Sequence, residues 1–281
     1  MKINPAPLQC PCEAGKFSPV FRYTAPPQCE VRFAFSSGEG YRREVSRCDL
    51  CGHFVSVHQM DMSGLYAGAY VDANYGDSGI ARNFERIISL DPGQSDNAGR
   101  VQRIIDFADN HFSNFTAASP RTILDVGSGL CVFLHRMKAA GWVCTALDPD
   151  PRAAAHARDR VGVSAICGDF MELSELGTFD VITFNKVLEH VADPVGMLAR
   201  SADFVRAGGF VYVELPDGEA AAQDGPEREE FAIDHLHVFS GASFAMLAER
   251  AGFRLQTLER LREPSTKYTW RGFLIPRQSE N

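Results

Sequence analysis

The sequence predicts an α/β fold: a doubly wound, mostly parallel sheet of seven strands, carried behind a small cysteine-rich ribbon at the amino terminus. Three observations predict it. An apolar run, Thr122-Ile-Leu-Asp-Val126, breaks into the turn Gly127-Ser-Gly129, which opens a helical pattern. From there onward, short β-branched or aromatic runs alternate with helix-length segments, the order that builds a parallel sheet with helices on both faces. Residues 1–60 instead contain Cys10, Cys12, Cys29, Cys48 and Cys51, short aromatic runs such as Val31-Arg-Phe-Ala-Phe35, and little helical periodicity.

The chain therefore divides into a ribbon at 1–60, a helical linker or lid at 61–115, and the sheet domain at 116–281. In the linker, Tyr66, Tyr70 and Tyr75 precede two helical patterns. Ser95 or Asp96 caps the second, and Val101, Ile104, Ile105 and Phe112 share one face of it. In the sheet domain strands are expected to end near 126, 147, 166, 184 and 215, with last strands around Phe253–Thr257 and Lys267–Ile275. The acidic stretch Asp224-Gly-Pro-Glu-Arg-Glu-Glu230 reads as a solvated insertion.

Gly127 and Gly129 let a ligand approach the backbone closely beside the positive end of the following helix, so a nucleotide-like ligand is expected there. The dinucleotide fingerprint G-x-G-x-x-G fails, because Val132 stands where its third glycine belongs. An acid two residues before the first glycine, Asp125, fits a different pattern. Here the chain resembles the class I methyltransferases that use S-adenosylmethionine, whose first motif reads acid-x-Gly-x-Gly-x-Gly. Cys131 replaces the last glycine and reads as a packing residue.

Later segments follow the same pattern in order. Val143-Cys-Thr-Ala-Leu147 ends in Asp148-Pro149, about 20 residues after the glycines, where an acid at a strand's end can accept both ribose hydroxyls. Ser164-Ala-Ile-Cys-Gly168-Asp169-Phe170 resembles the segment whose acid receives the adenine amino group, which implies Asp169 for that role and Phe170 for lining the ring. Phe179-Asp-Val-Ile-Thr-Phe-Asn185 is a fourth strand, and Lys186-Val-Leu-Glu-His190 resembles the family's motif beside the donor methionine. Gly208-Gly209 precede a fifth strand, Phe210-Val-Tyr-Val-Glu214. The expected donor site is thus Asp125, Gly127, Ser128, Gly129, Asp148, Pro149, Gly168, Asp169, Phe170 and Asn185, with Arg100 a candidate partner for the methionine carboxylate.

Cys48-Asp-Leu-Cys51-Gly52-His53 has the form of a zinc knuckle, two thiolates around a tight turn. Cys10-Pro-Cys12 is the less regular partner, and a structural four-thiolate Zn²⁺ site from Cys10, Cys12, Cys48 and Cys51 is expected, with Cys29 or His53 able to replace one ligand. Metal binding would help to fold a module with little core of its own. The arrangement resembles the zinc-binding module of sugar C-methyltransferases, which carry a further C-terminal domain that this shorter chain is expected to lack.

A sulfonium already carries a good leaving group, so catalysis needs in-line positioning, exclusion of water and a base for the acceptor's proton. His235, in Asp234-His-Leu-His-Val-Phe-Ser240, and His190 are the two candidates for that base. If the stretch is extended, His235 and His237 point the same way. A tyrosine such as Tyr66 or Tyr70 could also orient a substrate hydroxyl.

Composition suits a soluble enzyme: 45% of the 281 residues are hydrophobic, no apolar run approaches the roughly 18 residues that span a bilayer, and no signal-peptide core is present. A cytoplasmic location is expected, and the eight cysteines are expected there as thiols or metal ligands rather than disulfides. A small-molecule acceptor, a sugar nucleotide or secondary metabolite, is the main expectation. Methylation of ribosomal or transfer RNA is one alternative. The net charge of −8, and seven Lys or Arg against five Asp or Glu in residues 1–60, argue against it. A non-catalytic nucleoside-binding scaffold is the other alternative, against which Asp148, His190 and His235 weigh.

Overall fold

The computed structural model describes residues 8–13, 15–28, 30–31, 41–58, 79–113 and 120–277. Tyr66, Tyr70, Tyr75 and Cys29 lie outside the described residues. Among the described residues three strands come first: β1 (Phe17–Tyr23), β2 (Arg43–Cys48) and β3 (Phe54–His58). Two helices follow, α1 (Gly79–Ile88) and α2 (Asp96–His111), the latter capped by the Ser95 side chain, which accepts from the Ala98 N–H. The alternating part then runs β4 (Thr122–Val126), α3 (Val132–Ala139), β5 (Val143–Asp148), α4 (Pro151–His156), β6 (Ser164–Cys167), β7 (Phe179–Asn185), α5 (Pro194–Arg200) and β8 (Val205–Pro216). It closes with α6 (Gly218–Asp224), β9 (His237–Val238), α7 (Gly241–Arg250), β10 (Phe253–Arg262) and β11 (Tyr268–Pro276).

Seven strands form one sheet in the order β10-β11-β8-β7-β4-β5-β6. β4 to β8 are parallel, and only the last hairpin runs antiparallel, β11 against both β8 and β10. The chain starts in the middle at β4, winds outward to β6, and returns across β4 to β7. The order reverses between β4 and β7, which opens a crevice at their carboxyl ends. Apolar clusters cover both faces. Leu124, Phe184, Leu198 and Phe244 belong to one, and Ile104, Ile123, Leu134 and Phe273 to the other.

The amino-terminal sheet is not self-contained. Its order is β1-β2-β3-β9, and its last strand comes from far along the chain, with Phe54 opposite Val238 and Val55 opposite His237. Tyr23, Tyr41, Val45 and Phe54 share a buried cluster with Ala221, Phe231, Ile233 and Val238. In the stretch 224–230, Asp224 and Glu227 are exposed, as its charge suggests, and its last residue is the exception. Glu230 is buried beneath the small sheet, paired to Arg228 and accepting from the Tyr268 N–H at 2.6 Å. Its carboxylate is satisfied, so burial is tolerated.

Candidate functional site

The loop after β4 turns through three left-handed residues: Gly127 (φ +69°), Gly129 (+49°) and Cys131 (+58°). A Cβ on Gly127 would lie 2.8 Å from Val187 Cγ2, whereas one on Gly129 would meet nothing within 4 Å. Gly127 thus keeps the loop against the β7 side, and Gly129 borders open space. The loop's amides are already used: Gly127 and Ser128 donate to the Leu147 carbonyl at 2.8 and 3.1 Å, and Gly129 donates to Asp148 Oδ2 at 2.8 Å. The glycines thus supply steric clearance, while their own amides serve the β5 end.

Asp148 ends β5 with both oxygens anchored, Oδ2 by Gly129 and Oδ1 by the Asp150 N–H at 2.9 Å. Burial pushes its pKa up, partly offset by these two amides. Asp125, fully buried below the loop, accepts from Thr183 Oγ1 and Asn185 Nδ2, each at 2.7 Å. Burial nevertheless pushes it up to about 6. Two buried acceptors at this end of the sheet, Ser128 Oγ and Asn185 Oδ1, have no hydrogen-bond partner among the described residues. Buried polar atoms are rarely left so, and their place at the crevice suits a ligand.

Gly168 donates to the Asp148 carbonyl at 3.1 Å, and the Pro149 carbonyl accepts from the Cys167 thiol, so these residues tie the ends of β5 and β6 together. Asp169 Oδ1 accepts from the Met171 N–H at 2.8 Å. Phe170 is not at the cleft: it is 2% exposed, with its ring between Phe184 and Phe204 in the core. Met171, 41% exposed, stands beside it on the outside. Arg100 is also spent elsewhere. Its guanidinium grips both carboxylate oxygens of buried Glu214, and Arg271 bridges Glu214 at 3.2 Å and Glu263 at 2.6 Å. Burial alone would raise Glu214, but the two guanidinium groups hold it well below the carboxylate range.

On the other side of β7, the turn Leu188–His190 packs against 230–237, where Leu236 N–H donates to the Glu189 carbonyl at 2.8 Å. This pairing brings His190 and His235 together with ring centroids 4.9 Å apart. His190 Nδ1 lies 2.8 Å from the Asp234 carbonyl, and His235 Nδ1 lies 2.8 Å from the Glu230 carbonyl. A ring nitrogen facing a carbonyl must carry the proton, which leaves the lone pair of each ring on Nε2. Burial lowers His235 to about 4, keeping it neutral near pH 7. His237 does not join them. The chain turns at His235, whose N–H donates to the Ala232 carbonyl, so the alternation of a strand does not apply, and His237 Nδ1 instead meets His53 Nε2 at 2.9 Å.

At the far end of the small sheet the sulfurs of Cys10, Cys12, Cys48 and Cys51 all lie within 4.8 Å of one another. Cys10 is 3.1 Å from Cys12 and 3.5 Å from Cys48, and Cys12 is 3.5 Å from Cys48. A tetrahedral zinc with bonds of about 2.3 Å needs sulfurs about 3.8 Å apart, so the set fits that ion. Burial raises Cys10 to about 11, while the Cys51 and Leu50 amides overcome burial at Cys48 and bring it to about 7. His53 is turned away, held by Ser243 Oγ at 3.3 Å as well as by His237.

With this geometry in view, the sequence matches the family described as "Methyltransferase domain" over residues 95–258, more than half of the chain. The chain belongs to the methyltransferase-domain family. Among curated relatives it is similar to the ubiquinone biosynthesis O-methyltransferase of Aromatoleum aromaticum, 33% identical over 99 residues, which are 33% of this chain and 42% of the relative. That of Caulobacter vibrioides is 31% identical over 99 residues, 33% of this chain and 39% of the relative. These matches span less than half of either relative's length. Among solved structures, the Burkholderia thailandensis 1,6-didemethyltoxoflavin-N1-methyltransferase, with S-adenosylhomocysteine bound, aligns with TM-score 0.56 and 17% identity, covering 90% of this chain and 100% of that one. Magnesium protoporphyrin IX methyltransferase from Synechocystis aligns with TM-score 0.53 and 13% identity, covering 77% and 100%. Both share the fold.

In this methyltransferase-domain protein the pairing of Arg100 and Arg271 on Glu214 carries no motif signal, while the half-buried Lys186 and the buried Glu189 lie inside the Lys186–His190 segment but were not singled out from it. Lys186 stands directly after β7 with φ +62° and gives its Nζ to Thr269 Oγ1 at 3.0 Å. Its place at the head of the Lys186–His190 segment, next to Asn185, is the signal that could have drawn attention to it.

Proposed function

We propose that the protein transfers the methyl group of S-adenosylmethionine to a small-molecule acceptor. The observation that carries this reading is the Asp148 carboxylate at the end of β5, doubly anchored and bonded to Gly129, which borders open space in the loop after β4. In this reading Asp148 accepts the ribose hydroxyls and Asp169 the adenine amino group, with exposed Met171 in place of Phe170 beside the ring. Asn185 Oδ1 and Asp125 face the cationic methionine end. Gly127, Ser128 and Gly129 leave room for it, and Pro149 and Gly168 hold the Asp148 and Asp169 loops in place. The relatives' small-molecule acceptors and this chain's charge of −8 favour such an acceptor over RNA.

Across β7, His235, backed by His190, handles the acceptor's proton while the packed turns at 188–190 and 230–237 exclude water. The four cysteines hold one structural Zn²⁺, with no position left for substrate. Turnover with methyl-labelled donor against pools of sugar nucleotides, quinone precursors and RNA tests the acceptor class. Asp148→Ala is expected to weaken donor binding in calorimetry by at least about tenfold, the loss of one charge-assisted hydrogen bond, with the thermal transition preserved; unchanged affinity removes the assignment. His235→Gln should lower turnover by about 10²–10⁴ with donor affinity spared.

A further inference from the structure

Beside the donor crevice, one ring nitrogen each of His190 and His235 and a carboxylate oxygen of Glu189 lie within 4.8 Å of one another. Methyl transfer alone does not call for such a group. Glu189 is fully buried, and neither of its carboxyl oxygens has a hydrogen-bond partner among the described residues. A buried carboxylate left without a partner is costly, and a bound cation removes that cost. Lys186 contributes charge nearby, but its Nζ is given to Thr269.

The imidazoles are oriented as ligands are. Each faces a backbone carbonyl through Nδ1 at 2.8 Å, which fixes the tautomer with its lone pair on Nε2. Asp234 Oδ2, 3.6 Å from His190 Nδ1, adds a second carboxylate behind that ring. Two imidazoles and one carboxylate suit divalent transition cations, while four thiolates make the other cluster the stronger holder of zinc.

We propose that Glu189, His190 and His235 hold one divalent transition cation, to which a hydroxyl or enol oxygen of the acceptor binds. Ligand atoms about 2.1 Å from a tetrahedral ion stand about 3.4 Å apart; the three groups lie within 4.8 Å of one another, so the site draws together when the cation binds. The inference rests on the methyltransferase reading and refines the part of the histidines in it. The acceptor oxygen loses its proton to water while bound to the cation, then attacks the methyl carbon, and the carbon–sulfur pair passes to the sulfonium sulfur. His190 and His235 then act through the cation instead of taking the proton themselves.

The test titrates the zinc-loaded full chain with Mn²⁺ alone, following free Mn²⁺ by electron paramagnetic resonance. One Mn²⁺ per chain is expected, bound about tenfold or more weakly by Glu189→Gln and by His235→Asn, and unchanged in Asp148→Ala. Donor calorimetry shows whether each ligand variant is folded, the thermal transition does so for Asp148→Ala, and the two ligand variants together cover the failure of either. Absence of saturable Mn²⁺ binding, or equal affinity in both ligand variants, overturns the site. Mn²⁺ binding by a wild type that does not bind S-adenosylmethionine overturns the methyltransferase reading and leaves the site standing.

Discussion

At Cys131 the backbone takes the left-handed conformation that the family's motif assigns to glycine. A non-glycine residue there costs about 1–2 kcal/mol, offset here by burial of the thiol, which is 1% exposed. The requirement for φ > 0 made this loop legible in the sequence even where glycine itself is missing. Asp125 and Asp148 stood out in the sequence through their spacing from the glycines, and both are buried acids held by hydrogen bonds at strand ends. Phe170 and Arg100 were not legible in that way, because sequence spacing does not say whether a side chain turns into the cleft or into the core. Asp125 also carries a pH prediction. Its folded pKa of about 6 lies above the unfolded value, so its contribution to stability is full below about pH 4 and is lost as pH rises through about 6. A cationic donor favours the ionised form. Donor affinity should therefore rise from about pH 4 to 6 and level off above, with proton release near pH 5 in calorimetry run in buffers of different ionisation enthalpy. A flat profile would show that the donor does not sense Asp125.

Elements of the sheet domain announced themselves through alternation, which also dictates a mostly parallel sheet. The small sheet was harder to read, because its fourth strand is two residues long and pairs with β3 across most of the chain. Such a strand leaves no periodic trace. Nor does the lock beneath it: Arg43, buried with Glu30, bonds Glu30 Oε2 at 3.1 Å and the Phe231 carbonyl at 2.6 Å while stacking 4.0 Å over the Tyr23 ring. Tyr41 adds its hydroxyl to Glu30 at 2.8 Å. Removing one member leaves an uncompensated buried charge, so Arg43→Ala should cost about 3–5 kcal/mol in urea unfolding. Replacing both charges, Arg43→Met with Glu30→Leu, should cost much less. Equal losses in the two would mean that the contacts of Arg43 with Tyr23 and Phe231, and not the charge, hold this element.

Across the whole molecule, the cysteine cluster and the donor crevice sit on different sheets but are joined through one short path. The Cys51 carbonyl accepts from Ser240 Oγ, His53 meets His237 and Ser243, and β3 pairs with β9 directly after the turn that carries His235. Arg250 on α7 reaches back to the Pro11 carbonyl at 3.2 Å. The groups proposed to hold the donor, Asp125, Asp148 and Gly129, are held instead by β4, β5 and β7. Loss of zinc should therefore disturb the acceptor half and spare the donor half. Chelation, or acidification that protonates the thiolates, is expected to release one zinc per chain and to lower turnover, while calorimetry finds donor affinity nearly unchanged. Asp148→Ala should do the reverse, losing the donor and keeping its zinc. If chelation removed donor binding along with turnover, the two sheets would form one cooperative unit, and the small sheet would be part of the donor site's own foundation.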